Sequence, residues 1–256
     1  MSARLTPTIL RFESLPSTNT EAARQAALGA PEGLCVVARE QTAGRGRQQR
    51  AWASPKDAGL YFSVVLRPRI EAREWPLVTL AAALAVRDAL KDACALETDI
   101  KWPNDLLASG RKLCGILAET VETPRGRAVV AGIGVNLNNR AFPPEILKTA
   151  TSVEEQTGSA PDVERLLASL TRSLARHYET LQSAGGAAEI VRVWESRSSY
   201  ARGRRVRVAL AEETFEGTTR GLEPDGALRV ETDEGEIRIV RAGDVLAVRK
   251  VTSEER

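Results

Sequence analysis

An α+β fold, a mixed β-sheet with flanking helices followed by a small C-terminal SH3-like β-barrel, is predicted by three features of the sequence. Segments rich in β-branched and aromatic residues, Leu34 to Glu40 and Leu60 to Leu66, are interspersed with longer stretches such as Trp75 to Ala93, whose apolar residues recur at near-helical spacing. Beyond Gly203 the period changes to short strands separated by Pro224-Asp225-Gly226 and Asp233-Glu234-Gly235. With 256 residues, 43% of them hydrophobic, the chain can bury a substantial core in a large and a small domain. The boundary is expected near residue 200, giving domains 1–200 and 201–256.

Taken in order, Ile9 to Ser14 reads as a short strand. Ser17-Thr18-Asn19-Thr20-Glu21 then starts a helix that runs to Leu28 and ends at Gly29, Thr18 and Glu21 having the spacing of a capping box. Capping is the plain role for these three short polar side chains, although they also suit a polar ligand head. The strands Leu34 to Glu40 and Leu60 to Leu66 flank a loop, and Trp75 to Ala93 follows as a helix. Ile100-Lys101-Trp102-Pro103-Asn104-Asp105 closes a strand with proline and projects two polar side chains from a turn. Leu106-Leu107 and Arg111 to Glu119, joined at Ser109-Gly110, make a hairpin. Lys112 there either faces solvent or, beside a core strand containing Gly115, reaches a phosphate. Ala128 to Asn138 is a strand with Gly132 and Gly134, ending in Asn136 and Asn138, and Pro143 to Gly158 is a loop. Val163 to Leu181 shows one apolar helical face, stopped by Gly185-Gly186, and Ala187 to Ser198 is a second helix. Arg204 to Leu210, Thr214 to Leu222, Ala227 to Thr232 and Glu236 to Val240 form the barrel, with Val245 to Val248 as its fifth strand.

The chemistry concentrates in Gln41-Thr42-Ala43-Gly44-Arg45-Gly46-Arg47-Gln48-Gln49-Arg50-Ala51-Trp52. Gly44 and Gly46 are expected to take positive φ and let backbone approach a ligand, while Arg45, Arg47 and Arg50 match carboxylate or phosphate oxygens in pairs. Trp52 adds a flat apolar face. Lysine plus arginine number 36 against 34 acidic residues, so a broad basic face for nucleic acid is not expected. The longest apolar stretch, Leu77 to Val86, is short of the roughly 20 residues a membrane helix needs. Met1 to Leu10 lacks the apolar core of a signal peptide, and Cys35, Cys94 and Cys114 have no C-x-x-C spacing, so a reducing cytoplasm is expected. The single histidine, His177, is expected on a helix surface among Arg176, Tyr178 and Glu179, which argues against histidine triads and histidine-rich metal sites.

Gly44-Arg45-Gly46-Arg47 with Trp52, Lys101-Trp102-Pro103-Asn104-Asp105, Arg111-Lys112-Leu113-Cys114-Gly115-Ile116-Leu117 and Gly132-Ile133-Gly134-Val135-Asn136-Leu137-Asn138 together resemble the biotin protein ligase family, in order and in spacing. The resemblance extends from Ser17-Thr18-Asn19 through the barrel. It implies a class II synthetase-like catalytic domain. It further implies an enzyme that uses biotin and MgATP to make biotinyl-5′-adenylate, then transfers biotin to a lysine of a biotin carboxyl carrier protein, usually of acetyl-CoA carboxylase. With sixteen residues ahead of the Ser-Thr-Asn motif, the monofunctional form without a DNA-binding domain is expected, as a monomer or homodimer.

By the same resemblance, Ser17, Thr18, Asn19, Gln41, Arg45, Gly46, Arg47, Lys112 and Gly115 surround biotin. Arg47, Arg50, Trp52, Lys101, Asn104, Asp105, Lys112 and Asn136 form the nucleotide side, and Mg2+ is held mainly through ATP rather than by a protein metal site. Arg45 and Lys112 are the expected catalytic cations, and Asp105 the acceptor of the incoming lysine's proton, since a carboxylate attacking a phosphate calls for charge neutralisation and the second step for a neutral amine. One departure stands in the loop: Gln49 occupies a position that is commonly glycine in the family. A lipoate protein ligase is the nearest rival, and Trp-Pro-Asn-Asp, the Arg-Lys-Leu-x-Gly-Ile-Leu hairpin and the barrel favour biotin. A non-catalytic biotin sensor or a nucleic-acid-binding protein is disfavoured by near-balanced charge.

Overall fold

Residue size decides what each face of the central strands does. β3 (Gly59–Leu66), β6 (Arg111–Val121) and β7 (Ala128–Asn136) put Phe62, Val64, Ile116, Ala131, Ile133 and Val135 on one face, all buried in the main core. The opposite face carries Tyr61 and Ser63, Gly115 and Leu117, and Gly132 and Gly134, because side chains alternate along a strand. In register, Ser63 pairs with Gly132 and Gly132 with Leu117, while Tyr61 pairs with Gly134 and Gly134 with Gly115. A patch of small residues thus lies in the middle of the sheet. Larger apolar residues would have filled that space.

The structure is a computed structural model that describes residues 5–140 and 142–247. The three central strands belong to a seven-stranded sheet completed by β1 (Thr8–Phe12), β2 (Leu34–Ala38), β4 (Asp99–Lys101) and β5 (Asp105–Ala108), in the order β1-β2-β3-β7-β6-β5-β4. β1 pairs parallel with β2 and the other neighbours are antiparallel, which makes the sheet mixed as expected. α1 (Thr18–Ala27) lies on the small-residue side, sharing a minor core of Ala22, Ala26, Val36, Val65 and Val130. α2 (Leu77–Cys94), α4 (Val163–Gln182) and α5 (Gly186–Ser196) contribute to the large core with the opposite face.

β8 (Arg202–Ala209), β9 (Thr214–Leu222), β10 (Leu228–Glu231), β11 (Ile237–Val240) and β12 (Asp244–Ala247) form a second, antiparallel sheet in the order β11-β10-β9-β8-β12. The meander and the return of β12 to β8 match the expected small barrel. Val248 of its expected fifth strand, like 249–256, lies outside the described residues. Trp102, 2% exposed, donates its indole N–H to Gly226 O at 3.0 Å, and the main apolar core runs from α2 through to Val206, Val208 and Leu228.

Three local expectations change. The helix start is not a capping box: Ser17 is the N-cap without a side-chain cap bond, Thr18 N donates instead to Gln41 Oε1 at 2.8 Å, and Glu21 pairs with Arg24. The loop from Pro143 to Gly158 contains α3 (Val153–Thr157), a five-residue helix whose N-cap Ser152 accepts from Glu155 N. His177 is buried rather than on the surface, its Nε2 2.7 Å from Asp88 Oδ2, because polar residues of α4 also meet α2 where the two helices pack. Arg176 and Arg197 pair with the same carboxylate.

Candidate active site

The Gly-Arg loop is itself a miniature hairpin. Trp52 N donates to Gly44 O at 2.9 Å, Arg45 and Ala51 form an antiparallel bridge, and Gly46 N donates to Arg50 O at 2.7 Å. The tip is Arg47–Gln49. Positive φ falls there, at Gln48 (54°) and Gln49 (58°), and not at Gly44 or Gly46 as expected. Glycine at 44 answers a packing need instead: a Cβ would lie 2.4 Å from Trp52 O and 2.6 Å from Ser54 Oγ. Tight two- and three-residue hairpin turns demand left-handed backbone, so the strain moves to the residues at the tip.

Two clusters sit side by side on the small-residue face. In the first, Gln41 Oε1 accepts from Thr18 N and from Thr18 Oγ1 (3.1 Å), and its amide nitrogen donates to Ser54 Oγ at 2.8 Å. Ser63 Oγ donates to Asn19 Oδ1 at 2.7 Å and lies 2.8 Å from Thr18 Oγ1. Asn19 Nδ2 donates to Leu117 O and Glu119 Oε2, so both of its amide N–H donors are engaged by protein groups while Oδ1, bonded once by Ser63, keeps acceptor capacity. The Glu119 carboxylate also takes both terminal nitrogens of Arg45, at 3.0 and 2.9 Å. Ser17, the residue before Thr18, is buried and makes no side-chain cap bond.

In the second cluster, the Trp52 indole lies on the glycines of β6 and β7. A Cβ at Gly134 would meet Trp52 Nε1 at 2.6 Å, and one at Gly115 would meet the ring at 3.0 Å. Lys112 Nζ is 5.3 Å from the ring centroid and 2.7 Å from Asp105 Oδ1, an ion pair that lacks hydrogen-bond alignment. Arg47 donates to Asn104 Oδ1 (3.3 Å) and Gly243 O (3.2 Å), and Arg50 pairs with Asp244 at the start of β12. Lys101 belongs here too: burial lowers its ammonium below the ordinary lysine range, Asp105 opposing and Lys112 adding to the shift. Burial likewise lowers Arg47, against the attraction of Asp244 and Asp105. Asn136 is buried and donates to Thr151 O at 3.0 Å, anchoring the Thr149 to Thr151 stretch that bonds the backbone of Lys112.

The structure therefore brings the expected biotin-side residues Thr18, Asn19, Gln41 and Arg45 into one network, and Arg47, Arg50, Trp52, Lys101, Asn104, Asp105, Lys112 and Gly115 into another. Asn136 supports the second through the backbone of Lys112 and Thr151. Sequence reasoning missed Ser54, Ser63, Glu119 and Asp244. Ser63 is the one small polar residue in the otherwise apolar and aromatic run Leu60 to Leu66, and Glu119 follows Gly115 and Leu117 at the two-residue period of a strand, so both had a signal. Asp244 had none. Cys114 is fully buried, and burial pushes its thiol far up, away from the thiolate form a nucleophile needs.

The chemistry available is electrostatic and hydrogen-bonding: cations beside one paired carboxylate, next to polar groups able to take a small cyclic amide. Residues 11–138 match the biotin/lipoate A/B protein ligase family and residues 202–246 the biotin protein ligase C-terminal domain. The chain is 37% identical over 240 residues to the bifunctional ligase/repressor BirA of Bacillus subtilis, covering 93% of this chain and 73% of that protein. It is 36% identical over 239 residues to the biotin–[acetyl-CoA-carboxylase] ligase of Mycobacterium tuberculosis, covering 91% of this chain and 86% of that protein. Among solved structures, biotin protein ligase from Aquifex aeolicus in complex with biotin and ATP superposes with a TM-score of 0.82 at 29% identity, over 95% of this chain and all of that one.

Proposed function

This chain belongs to the biotin/lipoate A/B protein ligase family, and we propose that it is an ATP-dependent biotin protein ligase acting on a biotin carboxyl carrier protein of acetyl-CoA carboxylase. The observation that carries the reading is the seating of Asn19 on Gly132 and Trp52 on Gly134, two residues apart on one strand face. That seating sets a hydrogen-bonding cluster directly beside a cationic one. Biotin needs both, since its ureido ring offers N–H donors and a carbonyl acceptor while its tail ends in a carboxylate.

In the first step the biotin carboxylate attacks the α-phosphate of ATP, forming an acyl–phosphate bond and releasing pyrophosphate. Ser17, Thr18, Asn19 and Gln41 hold the ring, with Arg45, Gly46, Arg47 and Gly115 closing the pocket. Lys112 lies between carboxylate and phosphate. Trp52, Lys101, Asn104, Arg50 and Asn136 form or support the nucleotide side. Bringing anion onto anion makes charge neutralisation and alignment the main catalytic task, and fixed cations in a partly buried site perform it without reorganising. In the second step a neutral carrier lysine attacks the acyl carbon, AMP leaves, and Asp105 accepts the amine proton.

Among the described residues, no group of three His, Cys, Asp or Glu could hold a metal ion. Asp105, a carboxylate on the nucleotide side whose Oδ1 is paired with Lys112 Nζ at 2.7 Å, would have its second oxygen for an ion brought in by ATP. Bound Mg2+ supplies further neutralisation of the phosphates. The three cysteines are free, in keeping with a cytoplasmic setting, and among the described residues no helix is long and apolar enough to cross a membrane. We further assign 1–200 to the catalytic domain and 201–256 to the barrel domain, in a monomer or homodimer.

Mass spectrometry after incubation with biotin, MgATP and a carrier domain tests the reading. A gain of one biotin on a single carrier lysine is expected, and no gain on any carrier rules the function out. Lys112→Ala is expected to slow adenylate formation by at least about 100-fold, the scale of a lost transition-state donor, as followed by pyrophosphate release. Near-native release would remove Lys112 from its role.

A further inference from the structure

Three arginines within six residues of one loop repel one another, yet the structure separates them. Arg47 and Arg50 turn toward Asp244 on the barrel, while Arg45 turns the opposite way and is gripped by both oxygens of Glu119 on β6. The hairpin is thereby staked on two sides by two carboxylates that belong to different sheets. Its own backbone bonds, Trp52 N to Gly44 O and Gly46 N to Arg50 O, hold its two legs together but attach the tip to nothing.

Glu119 does more than meet Arg45. One of its oxygens also accepts from Asn19 Nδ2 at 2.8 Å, and Asn19 is fixed in turn by Ser63 and Leu117. A carboxylate has about four acceptor positions, and here two guanidinium N–H groups and one amide N–H are directed to it. The Arg45 and Glu119 side chains are 46% and 32% exposed, so this ion pair adds little to folding stability. What a bidentate fork gives is orientation, because the planar guanidinium is held against two oxygens at once.

The geometry points to Glu119 as the positioning residue of the biotin pocket: it orients Arg45 and Asn19 together and neutralises Arg45. The inference rests on the ligase reading above and deepens it. Arg45 then serves as a held donor and wall at the ring end of the pocket. The net positive charge for the reacting carboxylate and phosphate comes from Lys112, Arg47 and Lys101. Specificity for a neutral ring at one end and an anion at the other follows from this division, since a free Arg45 would leave positive charge at both ends.

Glu119→Gln, which keeps size and removes charge, tests the proposal against wild type. Its KM for biotin is expected to rise about tenfold, the scale of one lost charge-assisted hydrogen bond, with KM for ATP within about twofold. Without substrates, trypsin is expected to cleave after Arg45, Arg47 and Arg50 at least about tenfold faster, as the tip loses one stake and opens locally. Combining Glu119→Gln with Arg45→Gln is expected to raise the biotin KM no further than Arg45→Gln alone, because a glutamine oxygen still accepts from Asn19 and both substitutions remove the same Arg45 fork. A merely structural glutamate would give multiplied effects in the double variant. That result overturns the proposal, as does a biotin KM within about twofold of wild type. If Glu119→Gln fails to fold, Arg45→Gln alone carries the test, with the same tenfold and twofold outcomes in biotin KM. If wild type places no biotin on a carrier, the ligase reading fails, and the tryptic comparison still decides whether Glu119 stakes the loop.

Discussion

Gln48 and Gln49 are consecutive left-handed residues at φ 54° and 58°, a conformation in which an L side chain crowds its own carbonyl. Left-handed backbone costs a non-glycine residue roughly 1–2 kcal/mol, and glycine's extra unfolded entropy returns roughly 0.5–1 of that. Gln49→Gly is therefore expected to stabilise the protein by about 0.5–1 kcal/mol, read as a higher urea midpoint at unchanged slope. An unchanged midpoint would mean that the loop is already open before the protein unfolds. The Gly-Arg run, Lys112 and the Asn-Asp turn were legible in sequence because few structural roles need glycine, arginine and tryptophan so close together. Their partners were less so. Asp244 lies 194 residues from Arg50, and only the fold places them together. His177 was misjudged because flanking charged residues suggest solvent, whereas Asp88, with Arg176 and Arg197 around it, supplies a buried polar seam.

At the scale of elements, the site exists because β7 has glycine where Asn19 and Trp52 sit on the sheet. Asn19 of α1 reaches down onto Gly132, and a Cβ there would lie 2.1 Å from Asn19 Oδ1. A free side-chain tip would simply swing aside. Asn19 has no such freedom, being tied to Ser63, Leu117 and Glu119 and 4% exposed. Gly132→Ala is expected to push the start of α1 off the sheet at a cost of about 2–3 kcal/mol, through overpacking and lost buried hydrogen bonds. Thermal unfolding several degrees below wild type checks it, and an unshifted transition would show that α1 rises freely. The strands and helices themselves were readable from period and composition. The function of the first α1 residues was not: Thr18 and Glu21 have the spacing of a capping box, but the long-range acceptor Gln41 Oε1 takes the Thr18 N–H first. Local spacing cannot reveal a partner 23 residues away.

For the whole molecule, the question is how independently the barrel stands. Two sheets with separate hydrogen-bond ladders argue for two units, yet one apolar core joins Leu77 and Leu80 of α2 to Val206, Val208 and Leu228 of the barrel. Trp102 is the polar join within that core. Its indole N–H reaches Gly226 O, 124 residues away, in the turn before β10, and Gly226 itself packs so close to Leu77 and Leu80 that an added Cβ would lie 3.0 and 3.1 Å from them. Trp102→Phe keeps an aromatic ring but leaves that carbonyl without its donor and opens space in a filled interior. The expected cost is about 2 kcal/mol, enough to lower the melting temperature by about 4–8 °C for a protein of this size. If the two sheets melt as one, calorimetry will show a single transition moved down. If the barrel is held chiefly through Trp102, amide exchange will rise first across 202–247 while β3, β6 and β7 stay protected. That second outcome carries a catalytic consequence, because Asp244 rides on the barrel: a loosened barrel takes the anchor of Arg47 and Arg50 with it, and KM for ATP should rise alongside the exchange. Exchange rising in the barrel with KM for ATP unchanged would show that the loop holds its nucleotide side without help from the barrel.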